Sequence, residues 1–421
     1  MIQQIRGTKD ILPDEISVWQ HIHTIANQIL NISNYQEIRT PILENTNLFE
    51  RVIGNETDII NKEMYTFKDK GNRHITLRPE GTASIARSFI ENKLYVKSNI
   101  NRLWYLGPMF RYERPQRGRQ RQFHQLGIEC IGSANYMADV EVIRLAVKIL
   151  ECLKVSNFEL QINSIGNREE RTKYKEKLLS YLKKYTHDLD EDSKKRLNNN
   201  PLRILDSKNK KTQEILFNAP TLQSCLGKMS LNHFYNVCKN LTYLNTPYTI
   251  NYKLVRGLDY YNYTAFEIKT IEKNDENTIC GGGRYDTLIE ELEGPKTPAV
   301  GWAIGLERLI IVMDNDLKRQ QNKPKIYLIM KDNRAEKNIW DIIHICEKNK
   351  INFLLDLNNT KLSKQLKKAH QVSAKVCIIL DVDELKDIYC KIKWLSNGYQ
   401  ETININQLEN YLKENKNLLI N

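Results

Sequence analysis

The chain has 421 residues, 41% of them hydrophobic and 27% charged, with a formal net charge of +12 at pH 7. That balance excludes a disordered or fibrous chain and supports two or three domains, each with a core of its own. The basic excess suits a polyanionic partner, because neutralising phosphates releases counterions, although a composition rich in Lys and Asn can be basic by itself. None of the eight cysteines forms a CxxC pair, so zinc-ribbon and thioredoxin-like readings lack their ligand spacing. Several lie in apolar runs such as VCIIL at 376–380, where a thiol behaves as a small hydrophobe. The N-terminal MIQQIRGTKD has no apolar signal core, and no stretch approaches the length of a membrane span. A reducing, cytoplasmic setting without a membrane is expected, or that of an organelle protein already processed.

In chain order, Trp19, Ile22, Ile25, Ala26, Ile29 and Leu30 recur at helical spacing within residues 14–32, entered through Pro13 and Asp14. Tyr35 to Pro41 alternates as a strand that proline ends. Short aromatic-rich strands are expected in 63–78 and 101–112, with a helix over 80–93 between them and another over 136–154. From about 167 to about 250 the pattern is helical and heavily charged. Strand character returns over Leu254 to Ile268 and continues to the glycines at 281–283, and a helix over 301–313 closes the large unit. Strands flanking a helical block predict an antiparallel sheet domain with a helical insertion. Beyond a polar linker at Asn315 to Pro324, apolar runs at 326–330, 351–357 and 376–380 alternate with helical stretches, as in a small α/β domain.

Five arginines fall between 111 and 121 in FRYERPQRGRQRQFHQLGIE, Phe110 to Glu129, around a turn-like Pro-Gln-Arg-Gly. This is a hairpin with a basic loop. It is either a solvated turn or a phosphate site, since guanidinium groups bind phosphate through paired hydrogen bonds. Gln122, Gln125 and Glu129 alternate with Phe123 and Leu126 along its second strand, as in a pocket floor. In LRPEGT, Leu77 to Thr82, Glu80 and Thr82 sit at a strand-to-helix transition; they either take a ligand's ammonium group or, with Thr82 as the cap, start a helix. Arg256, Asp259, Tyr260 and Tyr261 crowd VRGLDYYNYTAFEI, and CGGGRYD at 280–286 removes three side chains, as a close ligand or a tight turn requires. In AVGWAIGLERLI, Ala299 to Ile310, Arg308 stands beside Glu307 like a surface ion pair.

The order of these segments resembles the class II aminoacyl-tRNA synthetases. Gln36 to Phe67, with Pro41, is similar to their first motif, Phe110 to Glu129 to their second, and Ala299 to Ile310 to their third. RGTKDILPDE, INSIGN at 162–167, LVRGLDYYN and GGGRYD are similar to the segments that mark the histidyl-tRNA synthetases. The resemblance implies an α+β fold: a class II antiparallel-sheet catalytic domain over 1–320, with a helical insertion at about 167–250, and an α/β anticodon-binding domain over 325–421.

It also implies histidine activation by ATP with Mg²⁺, transfer to the 3′ end of the histidine tRNA, and a homodimer built through the first motif. Arg111 and Arg256 would be catalytic. ATP would meet Arg111, Glu113, Arg119, Phe123, Arg256 and Arg308, and histidine would meet Glu80, Gly81, Thr82, Gln125, Glu129, Tyr260, Tyr261 and Tyr285. Arg114 and Gln116 would face the tRNA acceptor end. No protein metal site is implied, magnesium being held mainly through ATP. The alternative is the synthetase-like regulatory subunit of ATP phosphoribosyltransferase, which shares the fold without the catalysis.

Overall fold

Small or polar residues alternate with bulky apolar ones through QFHQLGIECI and AVGWAIG, a period of two that a pleated strand turns into two unlike faces. Both segments are strands. The computed structural model describes every residue except 55, 56, 58, 200, 208, 256, 259, 273, 274, 314–322, 331–335, 358, 359, 382–388 and 421. The chain divides into two units, Met1–Arg319 and Gln320–Asn421.

In the first unit, eight strands lie in the order β1 (Gln36–Glu37), β5 (Asn101–Phe110), β6 (Gln122–Ile131), β11 (Ala299–Gly305), β10 (Asp275–Arg284), β9 (Asn262–Glu272), β7 (Phe158–Ser164) and β8 (Thr249–Ile250). The six inner strands pair antiparallel, and the two-residue edges pair parallel. A small second sheet orders β2 (Leu43–Asn45), β4 (His74–Leu77) and β3 (Tyr65–Lys68).

One face of the large sheet is the core. Leu126, Ile128 and Cys130 of β6 and Val300, Trp302 and Ile304 of β11 are buried there with Val18, Ile22, Ala26 and Leu30 of the helix Pro13–Ile32. The helix Tyr136–Cys152 joins the same cluster, and Trp302 donates its indole N–H to Val142 O at 2.7 Å. Each such apolar side chain contributes roughly 1.5–3 kcal/mol by leaving water.

Between β7 and β8 the chain forms the helices Arg168–Lys183, Glu191–Asn199, Lys210–Phe217 and Lys228–Tyr243. Asn167 and Glu170 close a capping box on the first of them. The Glu170 carboxylate also accepts from Gly227 N and Ser230 Oγ, both at 2.6 Å, which ties the first helix to the last. The second unit is a five-stranded sheet in the order β13 (Phe353–Leu355), β12 (Ile326–Met330), β14 (Val376–Asp381), β15 (Tyr389–Trp394) and β16 (Gln400–Asn404). Its first three strands are parallel and the last two antiparallel. Most of the expected linker lies outside the described residues. Among the described residues no helix is long and apolar enough to cross a membrane.

Three expectations are corrected. The strand expected from Tyr35 to Pro41 is reduced to Gln36–Glu37, because the carbonyl of Thr40 accepts from Arg78 Nη1 at 3.0 Å instead of from a neighbouring strand. The strand expected from Leu254 begins only at Asn262. Before it, the carbonyls of Gly257 and Tyr261 accept from Arg203 and Arg171 of the helical insertion. The helix expected over 301–313 is a strand as far as Gly305 and a helix only over Leu306–Val312, since Gly301, Ala303 and Gly305 alternate with bulky residues and pair on the β6 side throughout.

Arg284, at the end of the glycine run, is 1% exposed and faces Asp139 at 0%. It also donates to Ser133 O at 2.7 Å and Asn135 O at 3.2 Å, so the charge is paired and its other protons are used. Removing one member strands the other in the interior. Arg284→Met is therefore expected to lower the stability of the first unit by about 3–5 kcal/mol, read as a fall in the urea midpoint. A midpoint within error of the unsubstituted chain would show that the pair is dispensable.

Candidate active site

The other face of the large sheet carries a second buried cluster, with Leu103, Tyr105 and Met109 of β5, but its middle strands are nearly bare. Register places Glu129, Gly301, Gly283 and Ala265 in one row across β6, β11, β10 and β9, and Tyr105, Gly127, Ala303 and Gly281 in the next. Side chains no larger than a methyl beside Glu129 and Tyr105 leave a trough. A Cβ at Gly301 would overlap the Glu129 carboxylate, one at Gly127 or Gly81 would overlap the Tyr105 ring, and one at Gly283 would come within 2.9 Å of the Tyr261 ring. The glycines of CGGGRYD thus serve close approach within a strand, and make no turn. Above them is an open cleft of about 240 Å³, floored by Gly281, Ala303 and Gly305.

One end of the cleft is acidic and phenolic. Glu80 accepts the backbone N–H groups of Thr82 at 2.7 Å and Ala83 at 2.8 Å, so it is Glu80 that caps the helix Thr82–Glu91. The expectation of capping by Thr82 is corrected: its hydroxyl donates instead to Glu129 at 2.8 Å. Glu129, 1% exposed, also receives the Tyr285 hydroxyl. Burial pushes the Glu129 carboxyl from the usual 4.5 up to about 8, against the pull of the Tyr285 and Thr82 hydrogen bonds. Burial raises Glu80 as well, offset by the Ala83 and Thr82 amides. The rings of Tyr260, Tyr261 and Tyr285 cluster with centroids 4.6–6.4 Å apart, and the Gln125 Oε1 is buried without a hydrogen-bond partner.

The other end is cationic. Arg111, Arg119 and Arg308 all line the cleft, with Glu113 among them. Arg111 Nε donates to Pro79 O at 2.8 Å, and its guanidinium carbon lies 5.3 Å from the centre of the Phe123 ring. Arg119 Nη1 pairs with Glu113 at 3.2 Å. Arg308 donates to Gly118 O at 3.2 Å and Thr278 O at 2.9 Å, so the expected pair with Glu307 is not formed. Glu307 instead accepts the backbone N–H of His124 at 3.0 Å, which joins the third motif to the second. Burial and the neighbouring Arg119 lower the proton affinity of Arg308. Three guanidinium groups around one carboxylate suit an anion with several charges.

Glu80, Thr82, Arg111, Glu113, Arg119, Phe123, Gln125, Tyr260, Tyr261 and Arg308 therefore share one cleft. Glu129 and Tyr285 are buried beneath its wall, and Gly81 packs on Tyr105. Arg114 and Gln116 are exposed on the β5–β6 loop, which is pinned where Arg121 N donates to Gly7 O at 2.7 Å. Arg256 lies outside the described residues. Tyr105 and the His124–Glu307 contact were not foreseen. The signal for Tyr105 was a tyrosine opposite a glycine in the paired strand, which needs the register to be seen.

A family model described as histidyl-tRNA synthetase matches residues 7–309, and one described as an anticodon binding domain matches 325–415. The chain is 62% identical to a chloroplastic histidine–tRNA ligase of Gracilaria tenuistipitata var. liui, over 98% of this chain and 97% of the relative. It is 51% identical to a histidine–tRNA ligase of a Cyanothece species, over 96% and 94%. The apo structure of the histidyl-tRNA synthetase of S. aureus superimposes with a TM-score of 0.81 at 35% identity, covering 98% of this chain and 100% of that one.

The Glu129 shift has a definite sign. Its folded value stands above the unfolded one, so its contribution to stability is present below pH 4.5 and is lost as the pH rises towards about 8. Glu129→Gln is expected to flatten the decline in melting temperature over that window. An identical pH profile for the two proteins would mean that Glu129 is ionised throughout.

Proposed function

The chain belongs to the histidyl-tRNA synthetase family, and we propose that the two ends of its cleft hold ATP and histidine for adenylate formation. Its activity is histidine–tRNA ligation; the residue roles are our reading. The observation that carries it is a single cleft with three arginines at one end and a buried carboxylate–tyrosine cluster at the other. The regulatory-subunit alternative is not favoured, since the identity to the ligases runs the length of the chain.

Activation is an in-line attack of the histidine carboxylate on the ATP α-phosphorus, with pyrophosphate leaving, and it depends on positioning and charge stabilisation. Arg111, its Nε spent on Pro79 O, holds the α-phosphate, a role that Arg256 shares. Arg308 takes the γ-phosphate end and Arg119 a neighbouring oxygen. Phe123 stacks on adenine, and Glu113 orients the arginines.

Among the described residues no group of three or more His, Cys, Asp or Glu could hold a metal. Magnesium fits as an ion brought in on ATP, where it would neutralise phosphate charge beside Glu113.

For histidine, Gln125 Oε1 accepts an ammonium proton that nothing else supplies, and Glu80 and Thr82, after Gly81, complete the amino acid site. Glu129 and Tyr261 bind the two imidazole nitrogens, and Tyr260 and Tyr285 close the pocket. A carboxylate has about four acceptor positions. Thr82 and Tyr285 hold Glu129 rigid and leave capacity for the ring. An amino acid without the imidazole hydrogen bonds would leave these buried groups unpaired, a penalty that makes editing unnecessary.

Transfer to tRNA places the acceptor end against Arg114 and Gln116, and residues 325–415 read the anticodon. Exposed Ile42, Leu43 and Phe67 in the first motif support a homodimer. The setting is the cytoplasm.

ATP–pyrophosphate exchange across the twenty amino acids, without tRNA, is expected to respond to histidine alone. Equal exchange with proline or threonine would remove the pocket's specificity. Glu129→Ala should raise the Michaelis constant for histidine at least tenfold, about 1.4 kcal/mol; an effect confined to ATP would misplace the imidazole.

A further inference from the structure

The segment that precedes β9 is held at both of its ends. On its near side, Asn163 Nδ2 of β7 donates to Leu254 O at 3.0 Å and Tyr252 O at 3.4 Å. On its far side, the Tyr263 amide donates to Gly166 O at 2.8 Å, and the Ile165 amide to Tyr263 O at 2.7 Å. Between these two attachments, the described residues among 254–261 take no part in a strand, yet they include Leu258, Tyr260 and Tyr261 on the cleft wall.

Two carbonyls of this span are taken by guanidinium groups of the helical insertion. Arg171, on the helix Arg168–Lys183, donates from Nη1 to Tyr261 O at 2.6 Å. Arg203, on the turn Pro201–Asp206, donates from Nη2 to Gly257 O. A charged donor on a neutral carbonyl makes a stronger bond than a neutral one. Such a bond suits a segment with no ladder of its own. The insertion end of the Arg171 link is itself fixed, because Glu170, one residue earlier, binds Asn167, Gly227 and Ser230.

We propose that Arg171 and Arg203 are positioning residues through which the helical insertion sets the histidine pocket, Arg171 by placing Tyr261 and Arg203 by placing Gly257, the residue after Arg256 in the sequence. The proposal rests on the pocket roles given above. Neither arginine lines the cleft, so neither acts on substrate directly. Their effects separate: Arg171 acts on the residue whose side chain binds imidazole, and Arg203 acts on Gly257, which follows in the sequence the arginine that serves the phosphoryl transfer.

The test uses the full chain with Arg171→Ala, Arg171→Lys and Arg203→Ala. ATP–pyrophosphate exchange and amide hydrogen exchange of the segment are the readouts. Arg171→Ala should raise the histidine KM about tenfold with the ATP KM within about twofold, and Arg171→Lys, which still offers a charged donor, should recover most of it. Arg203→Ala should lower kcat about tenfold and change the histidine KM by less than about threefold. In the Arg171→Ala protein the Tyr261–Tyr263 amides should exchange faster while the core strands β6 and β11 keep their protection. An unchanged histidine KM in folded Arg171→Ala would overturn the proposal, and so would equal rises for histidine and ATP, or loss of protection throughout the unit. If the unsubstituted chain shows no exchange with histidine, the pocket assignment fails. Protection of the Tyr261–Tyr263 amides then decides by itself whether Arg171 anchors the segment.

Discussion

A carboxylate that is 1% exposed on the inner strand of a sheet sets the terms for everything around it. Glu129 loses its hydration and must find donors within the protein. Thr82 supplies one from the start of a helix, and Tyr285 supplies the other from just beyond β10. Room for it exists because Gly301 stands opposite on β11 and Gly283 beyond that on β10. An alanine at Gly301 would collide with the carboxylate. The glycine pattern of three strands, the entry angle of the helix Thr82–Glu91 and the tyrosine cluster all answer to this one buried carboxyl group.

The same trough separates two kinds of chemistry without a wall. Its floor of Gly281, Ala303 and Gly305 carries no polar side chain, so specificity comes from the ends. At one end the groups are few and buried, and among the described residues the Gln125 Oε1 and the Tyr105 hydroxyl are left without a hydrogen-bond partner. At the other, three guanidinium groups crowd near a single carboxylate, and Arg308 is already discouraged from holding its proton by burial and by Arg119. An anion with several charges relieves that crowding. A neutral imidazole meets fixed acceptors and donors at the opposite end.

Much of this was readable from the chain, for local reasons. The arginine hairpin stood out because its two strands and its loop are contiguous, and the cleft collects Arg111, Glu113, Arg119, Phe123 and Gln125 from that one stretch. Local context misled where a side chain found a distant partner. Thr82 looked like a cap, but its hydroxyl serves Glu129, 47 residues on, and Glu80 caps in its place. Arg308 and Glu307 looked like a pair, but each turned to a different segment, Gly118 and Thr278 for one and His124 for the other. Hydrogen bonds across the fold outcompeted the neighbouring charge.

By itself the sequence determined the periodic features: the helix Pro13–Ile32 from its apolar spacing, the two-faced strands β5 and β6 from alternation, the helical insertion from its charge and the lack of strand pattern, and the basic hairpin from its arginine density. Those follow from interactions within a few residues, where period and propensity act. Only the tertiary structure decided that AVGWAIG is an inner strand before it is a helix, that Gly257 and Tyr261 are held by arginines from the insertion, and that Tyr105 fills the space left by Gly81 and Gly127. Each of those depends on strand register or on a donor far away in the chain. Register is set by the packing of whole faces, which no local window contains.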